Sequence, residues 1–402
     1  MSIVSIYKTE GNDYPAIKVA VDKAIEGCGG LSDIIKPGYK VLINPNLVAA
    51  ASNRLSGAIT RWEVSKAICE AVKAVGGEPF IAESAGAGLD TEAVIKVAEY
   101  EQLREEGYPV IDLKSCKKAT MVSPGGVVCP EIKTWELVKE ADAIITVPVM
   151  KTHDQTEVTL GMKNLKGVIA DENKKYLHFN GLYEGVADII SAVKPVMCIV
   201  DGTFGQQGIG PVYGETIEMD LIVASKDVVA CDAVTSVIMG YEADEPPITR
   251  AAYARGLGEM NLDKIEVVGE KIEDVRVRFK RSSEVQVEGL PDSFTMVVAD
   301  EACTGCRNTL FSSLMDMKDY DLLEHLKDKF VCTGPVKPEK LPENATKENT
   351  ICIGRCAYKT LKDHCARVSM GCPPSNVDTV QAILGPEIPY KIRALNDEEN
   401  VE

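Results

Sequence analysis

Aromatic residues make up only 5% of the 402-residue chain, and there are two tryptophans and four histidines. Apolar character comes instead from Val, Ile and Ala, the set that buried parallel strands packed by helices require. Cations are also in deficit, 44 Lys and Arg against 61 Asp and Glu, a net charge of −17. That balance argues against sequence-independent nucleic-acid binding, which neutralises phosphates with cationic side chains. It argues equally against an anionic membrane surface. No apolar run approaches the ~18 residues of a spanning helix, and the opening MSIVSIYKTE lacks the basic-then-apolar pattern of a secretory signal. The chain is therefore expected in the cytoplasm, with neither nucleic acid nor membrane as partner. The remaining composition, 45% hydrophobic and 26% charged, supports a sizeable core in two or three domains.

Cysteine is the residue in excess, with 13 in all. Cys28, Cys69, Cys116, Cys129, Cys198 and Cys231 stand singly and read as small buried hydrophobes. Cys303, Cys306, Cys332, Cys352, Cys356, Cys365 and Cys372 crowd into the last quarter. In a reducing compartment such crowding points to metal more than to disulfides.

Strand-like β-branched runs alternate with amphipathic helical patterns for most of the length. Val41–Asn46, Pro79–Ser84, Pro109–Leu113, Ala143–Val149, Val196–Asp201, Leu221–Ser225 and Ile265–Gly269 read as strands. Arg61–Val75, Asp90–Gly107, Glu184–Val193 and Val228–Met239 read as helices. The alternation predicts an α/β fold with a mostly parallel, doubly wound sheet over residues 1–275. The charged stretch 276–293 reads as a linker. A smaller α/β domain follows at 294–386, with strands at Phe294–Ala299, Lys329–Thr333, Thr350–Gly354 and Arg367–Met370 and helices at Thr309–Met317 and Asn376–Leu384. Residues 387–402 form an acidic tail.

Three of the C-terminal strands run into cysteine loops: Cys303-Thr-Gly-Cys306, Gly354-Arg-Cys356-Ala357 and Gly371-Cys372-Pro373-Pro374. Loops from one edge of a parallel sheet can converge. The adjoining glycines let backbone approach inorganic sulfide. A structural zinc site and free structural thiols are the alternatives, and Cys352 is the natural substitute ligand beside Cys356. The three motifs, in this order, resemble the proximal-cluster domain of nickel–iron hydrogenase small subunits, a flavodoxin-like domain. The resemblance implies one 4Fe–4S cluster on Cys303, Cys306, Cys356 and Cys372. The connecting segments are shorter than in that family, and the paired Cys-x-x-Cys nickel ligands do not occur, so hydrogenase activity is not implied.

Upstream, the strand ending at Val149 runs into Lys151-Thr-His153, and Lys163-Asn164-Leu-Lys166-Gly167 follows. A local excess of lysine in so acidic a chain suggests a small anionic ligand, although lysines facing water would look the same. Asp201 opens a glycine-rich stretch directly after another strand and is a candidate base or metal ligand. Asp227 reads as a helix N-cap. Together with Val41–Asn46 and Ala224-Ser-Lys-Asp227 through Asp232, these segments resemble the family called domain of unknown function 362, over roughly residues 1–270. Asn44 stands where that family usually shows lysine.

The combined expectation is an anaerobic iron–sulfur oxidoreductase. Lys151, His153 and Asp201 would do the chemistry, Lys163, Asn164 and Lys166 would hold the anion, and the cluster would feed electrons to that Lys/His site, with a redox partner protein (ferredoxin-like or a larger enzyme) at its other side. A non-catalytic electron carrier or partner subunit is the alternative, with a cluster- or metal-dependent lyase or isomerase third. A second metal or redox cofactor and assembly as a homodimer are both left open.

Overall fold

The computed structural model describes residues 1–51, 53–212 and 214–390. The expected acidic tail lies, from residue 391 on, outside the described residues. The chain divides into two compact units. The first takes residues 1–152, 158–174 and 183–280; the second takes 153–157, 175–182 and 281–390 of the described residues.

The first unit is built on a sheet whose strands are β1 (Ser2–Lys8), β2 (Lys40–Pro45), β3 (Glu78–Glu83), β4 (Val110–Asp112), β7 (Ala143–Val147), β10 (Met197–Gln207), β11 (Glu215–Ser225) and β12 (Ile265–Gly269), in the order β12-β1-β11-β10-β7-β2-β3-β4. Two short strands, β8 (Val149–His153) and β9 (Glu157–Thr159), join at β10. Between β4 and β7 lies a separate hairpin, β5 (Lys118–Val122) with β6 (Glu131–Trp135). Along the order β12 to β4 pairing is parallel except where β11 meets β1 and β10. The sheet is thus largely parallel, as the alternation predicts, with an antiparallel ribbon at β10–β11.

Helix α1 (Tyr14–Gly27) starts where the Asp13 carboxylate accepts the Ala16 N–H, with Pro15 in the first turn. Its buried residues, Ile17, Ala20, Val21, Ala24 and Ile25, recur at helical spacing and face the core. Helix α2 (Trp62–Ala74) buries Val64, Ala67, Ile68 and Val72 in the same way. The expected helix over Asp90–Gly107 is two, Thr91–Val97 and Glu101–Glu105. Between them Glu99 takes φ 59°, a left-handed conformation that no α-helix continues through. Asp227 caps α3 (Val228–Ile238), accepting from the Val229 and Ala230 amides, as its position predicts.

The linker expected at 276–293 is divided. Val277 and Phe279 donate backbone hydrogen bonds to Ile238 and Met239, and Phe279 is buried, so residues up to 280 belong to the first unit. Burying that ring outweighs the charged neighbours from which a linker was expected.

The second unit has a four-stranded, all-parallel sheet in sequence order: β13 (Thr295–Val298), β14 (Phe330–Thr333), β15 (Thr350–Ile353) and β16 (Arg367–Ser369). Helices α4 (Thr304–Asp319) and α6 (Asn376–Leu384) contribute Leu310, Leu314, Val380 and Ile383 to its main core. Helix α5 (Gly354–Leu361) packs Ala357 and Leu361 against Cys332, Cys352 and Cys365 in a smaller cluster. Helix α4 begins five residues before the expected Thr309, because Cys303 itself is its N-cap. No helix among the described residues is long and apolar enough to cross a membrane.

Candidate functional site

The four cysteines expected as ligands lie at the carboxyl end of the second sheet. Cys303 caps α4, Cys306 sits in its first turn, Cys356 lies in the first turn of α5, and Cys372 follows β16. Cys303, Cys356 and Cys372 are exposed, while Cys306 is buried. Gly354, at φ 85°, brings the second loop against the first; a Cβ there would lie 2.6 Å from the Cys306 sulfur. The Arg355 N–H donates to Gly371 O at 3.1 Å and ties the second loop to the third.

The sulfurs sense one another electrostatically. A hydrogen bond from the Cys306 thiol lowers the Cys303 pKa to about 6, in the range where the thiolate predominates at neutral pH. The same bond holds the Cys306 thiol well above its usual range. Burial and repulsion from Cys303, Cys372 and Cys356 push it further that way. Among the described residues no three His, Cys, Asp or Glu side chains converge as they would around a single metal ion. The donor chemistry suits a larger group: four thiols on glycine-flanked loops, the set that a cubane cluster takes, one thiolate per iron.

The other C-terminal thiols face the core. Burial raises Cys332 to about 12, and burial with a hydrogen bond to Cys365 raises Cys352 as well. Cys352, the expected substitute ligand, is a packed hydrophobe here.

In the first unit the polar motifs form a chain of buried contacts. Lys151 is completely buried, and its ammonium donates to Asn46 Oδ1 (2.9 Å), Pro211 O (3.3 Å) and Ala58 O. Three acceptors account for all three protons of that ammonium, while burial pulls its pKa down to about 7. Asn46 donates to Asn164 Oδ1 (2.9 Å), and Asn164 donates to Asn44 O (2.8 Å) and Thr146 Oγ1 (3.0 Å). Asn44 in turn donates to the Glu83 carboxyl. Burial raises Glu83 to about 8 and lowers Lys174 to about 8; the Lys174 amine donates to Ser84 O and Ala85 O. The neutral Asn44 amide supports Glu83, and the Lys174 ammonium acts on it electrostatically. Gly167 makes room for this carboxyl: a Cβ there would fall 1.9 Å from Glu83 Oε2.

Asp201 is buried, and its carboxylate accepts from Arg61 N (2.9 Å), Thr203 N (3.1 Å) and Thr203 Oγ1 (2.7 Å). Burial still raises its pKa. Asp232 is held similarly by the Gly161 and Met162 amides, with burial raising it to about 7. Lys163 and Lys166 are half-buried, on the short helix Gly161–Asn164 and the turn that follows it. Asn46 thus joins Lys151 to Asn164, whereas His153 belongs to the second unit. There its Nδ1 lies 2.7 Å from Asp154 Oδ1 and accepts the Gln155 N–H at 2.9 Å.

The sequence reading missed Glu83 and Lys174, and gave Asp232 no role beyond closing the segment that begins at Ala224. Glu83 carried a signal, a carboxylate closing an apolar strand at its carboxyl end. Lys174, in a polar helical stretch, carried none.

Over 261 residues the chain is 28% identical to a thylakoid-associated protein of Synechocystis sp., an alignment covering 63% of this chain and 79% of that protein. The structure of the lactate racemase apoprotein from Thermoanaerobacterium thermosaccharolyticum aligns with a TM-score of 0.37 at 12% identity, covering 96% of this chain and 91% of that one. Residues 41–236, which hold Asn44, Glu83, Lys151, Lys163 and Asp201, match the family described as Domain of unknown function (DUF362), a shorter stretch than the motifs led us to expect.

Proposed function

We propose that the second unit holds one 4Fe–4S cluster on Cys303, Cys306, Cys356 and Cys372, and that the protein is a one-electron carrier for a protein partner. The observation behind this reading is a contrast in exposure. Three of the four thiols reach solvent, where a partner can approach, while Lys151 and Asp201 are buried and spend their polar atoms on the protein itself. A bound cluster supplies reversible one-electron chemistry; the chain's part is to hold four thiolates and control access of water to them.

The half-buried Lys163 and Lys166 favour a second reading, an oxidoreductase whose anionic substrate binds beside the Asn164 network. The two readings separate in one experiment. Dithionite-reduced protein is mixed with an oxidised viologen, and electron transfer is followed in the wild type and in a Lys163→Ala/Lys166→Ala variant. Equal rates support the carrier. Little transfer to the dye, together with oxidation by a small carboxylate or phosphate compound that depends on both lysines, would replace it with the enzyme.

A further inference from the structure

Two short stretches that precede the C-terminal domain in sequence, 153–157 and 175–182, belong to the cysteine-bearing unit. Both lie inside the family-matched region. Several of their hydrogen bonds run to the cysteine loops. Gln155 is 3% exposed, and its Nε2 donates to Thr309 Oγ1 (3.1 Å) and to Pro374 O (2.9 Å). Thr309 stands three residues beyond Cys306 on α4, and its hydroxyl donates to Gly305 O at 2.8 Å, inside the Cys303–Cys306 turn. Pro374 stands two residues beyond Cys372. One amide nitrogen, with its two protons, therefore spans two cysteine loops. The hydroxyl that accepts from it passes the hydrogen bonding on to the turn itself.

The second stretch holds the remaining loops. The Cys372 N–H donates to His178 O (2.8 Å), and its carbonyl accepts from Leu182 N (3.1 Å). Arg355, next to Cys356, donates to Phe179 O and Asn180 Oδ1, and its guanidinium lies 5.0 Å from the centre of the Phe179 ring.

We propose that Gln155 is a positioning residue of the cysteine site, fixing the separation between the Cys303–Cys306 turn and the Cys372 loop, with residues 178–182 clamping Cys372 and Arg355 from another side. Part of the family-matched region, the Gln two residues beyond His153, then serves the cysteines. This rests on the cluster reading above for its functional meaning, but the positioning role itself is tested without a metal.

The test uses the full chain with Gln155→Met and Gln155→Glu, which keep the length of the side chain and remove both donated protons. Hydrogen–deuterium exchange is followed in peptides covering 303–309 and 370–376, before and after removal of any iron. The proposal expects exchange at these peptides to accelerate at least about tenfold, as local opening becomes cheaper, with peptides of β2, β3 and β7 unchanged. In iron-loaded protein, the variants should lose iron to a ferrous chelator about 10- to 100-fold faster, as for other residues that support metal ligands. The EPR signal and midpoint potential should shift in the same samples. Unchanged exchange at both peptides would overturn the positioning role, whatever the iron content. A wild-type protein without iron or sulfide would overturn the cluster reading while leaving the exchange result to stand on its own.

Discussion

Replacing Lys151 with methionine keeps most of the side chain's volume and removes its ammonium. The structure then leaves Asn46 Oδ1, Ala58 O and Pro211 O without that donor around a fully buried side chain. Each buried acceptor left without a donor costs roughly 1–3 kcal/mol, so three of them set the expected loss at about 3 kcal/mol or more. Urea unfolding at neutral pH should show a loss of this size for Lys151→Met, with iron content unchanged. The loss should also depend on pH. An amine whose folded pKa lies below its unfolded value contributes stability that is fully present above the unfolded pKa and is lost as pH falls through the folded one. For Lys151 that window runs from its ordinary 10.5 down to about 7. The wild type should therefore gain on the variant as pH rises across the window. A destabilisation below about 1 kcal/mol, with a difference flat in pH, would refute the structural role of this lysine. If that variant also lost a turnover shown by the wild type, Lys151 would regain the catalytic role expected of it.

Gly354→Ala tests the cysteine loops directly. The left-handed backbone costs an alanine about 1–2 kcal/mol, and the new methyl would stand 2.6 Å from the Cys306 sulfur. Iron per chain should fall several-fold after anaerobic reconstitution, with far-ultraviolet circular dichroism unchanged; full iron content would count against convergence of these loops. Gly167→Ala forces a methyl into the Glu83 carboxyl. It should cost at least ~2 kcal/mol by overpacking and loss of the Asn44 bond, read from the denaturation midpoint, and a neutral result would mean the Glu83 network is loosely held.

The second sheet was legible because its strands are short β-branched runs, three of them followed within two residues by glycine, and their order in sequence is their order in space. The cysteine loops followed from the same fact, since a parallel sheet puts the ends of its strands on one edge. The β10–β11 ribbon was not legible. Residues Thr203–Gln207 and Glu215–Asp220 lack a continuous apolar pattern, and their pairing is long-range only in part. Nor could sequence assign His153 and Gln155 to the cysteine-bearing unit. They follow Lys151 by two and four residues, yet the division of the chain falls between Thr152 and His153. Proximity along the chain suggested a single catalytic group, whereas Lys151 finds its partners at Asn46 and Pro211 and Gln155 finds its own at Thr309 and Pro374. Glu83 and Lys174 went unread because their hydrogen-bond partners, Asn44 and Ser84, lie 39 and 90 residues away in the sequence.

The most direct test of the account is the content of the protein purified without oxygen: iron, sulfide and zinc per chain, with EPR spectra before and after dithionite. The account predicts about four irons and four sulfides per chain, with a signal that appears on reduction and disappears when Cys303, Cys306, Cys356 or Cys372 is changed to serine. Stoichiometric zinc without sulfide, or a chain free of metal after reconstitution with iron and sulfide, would contradict it.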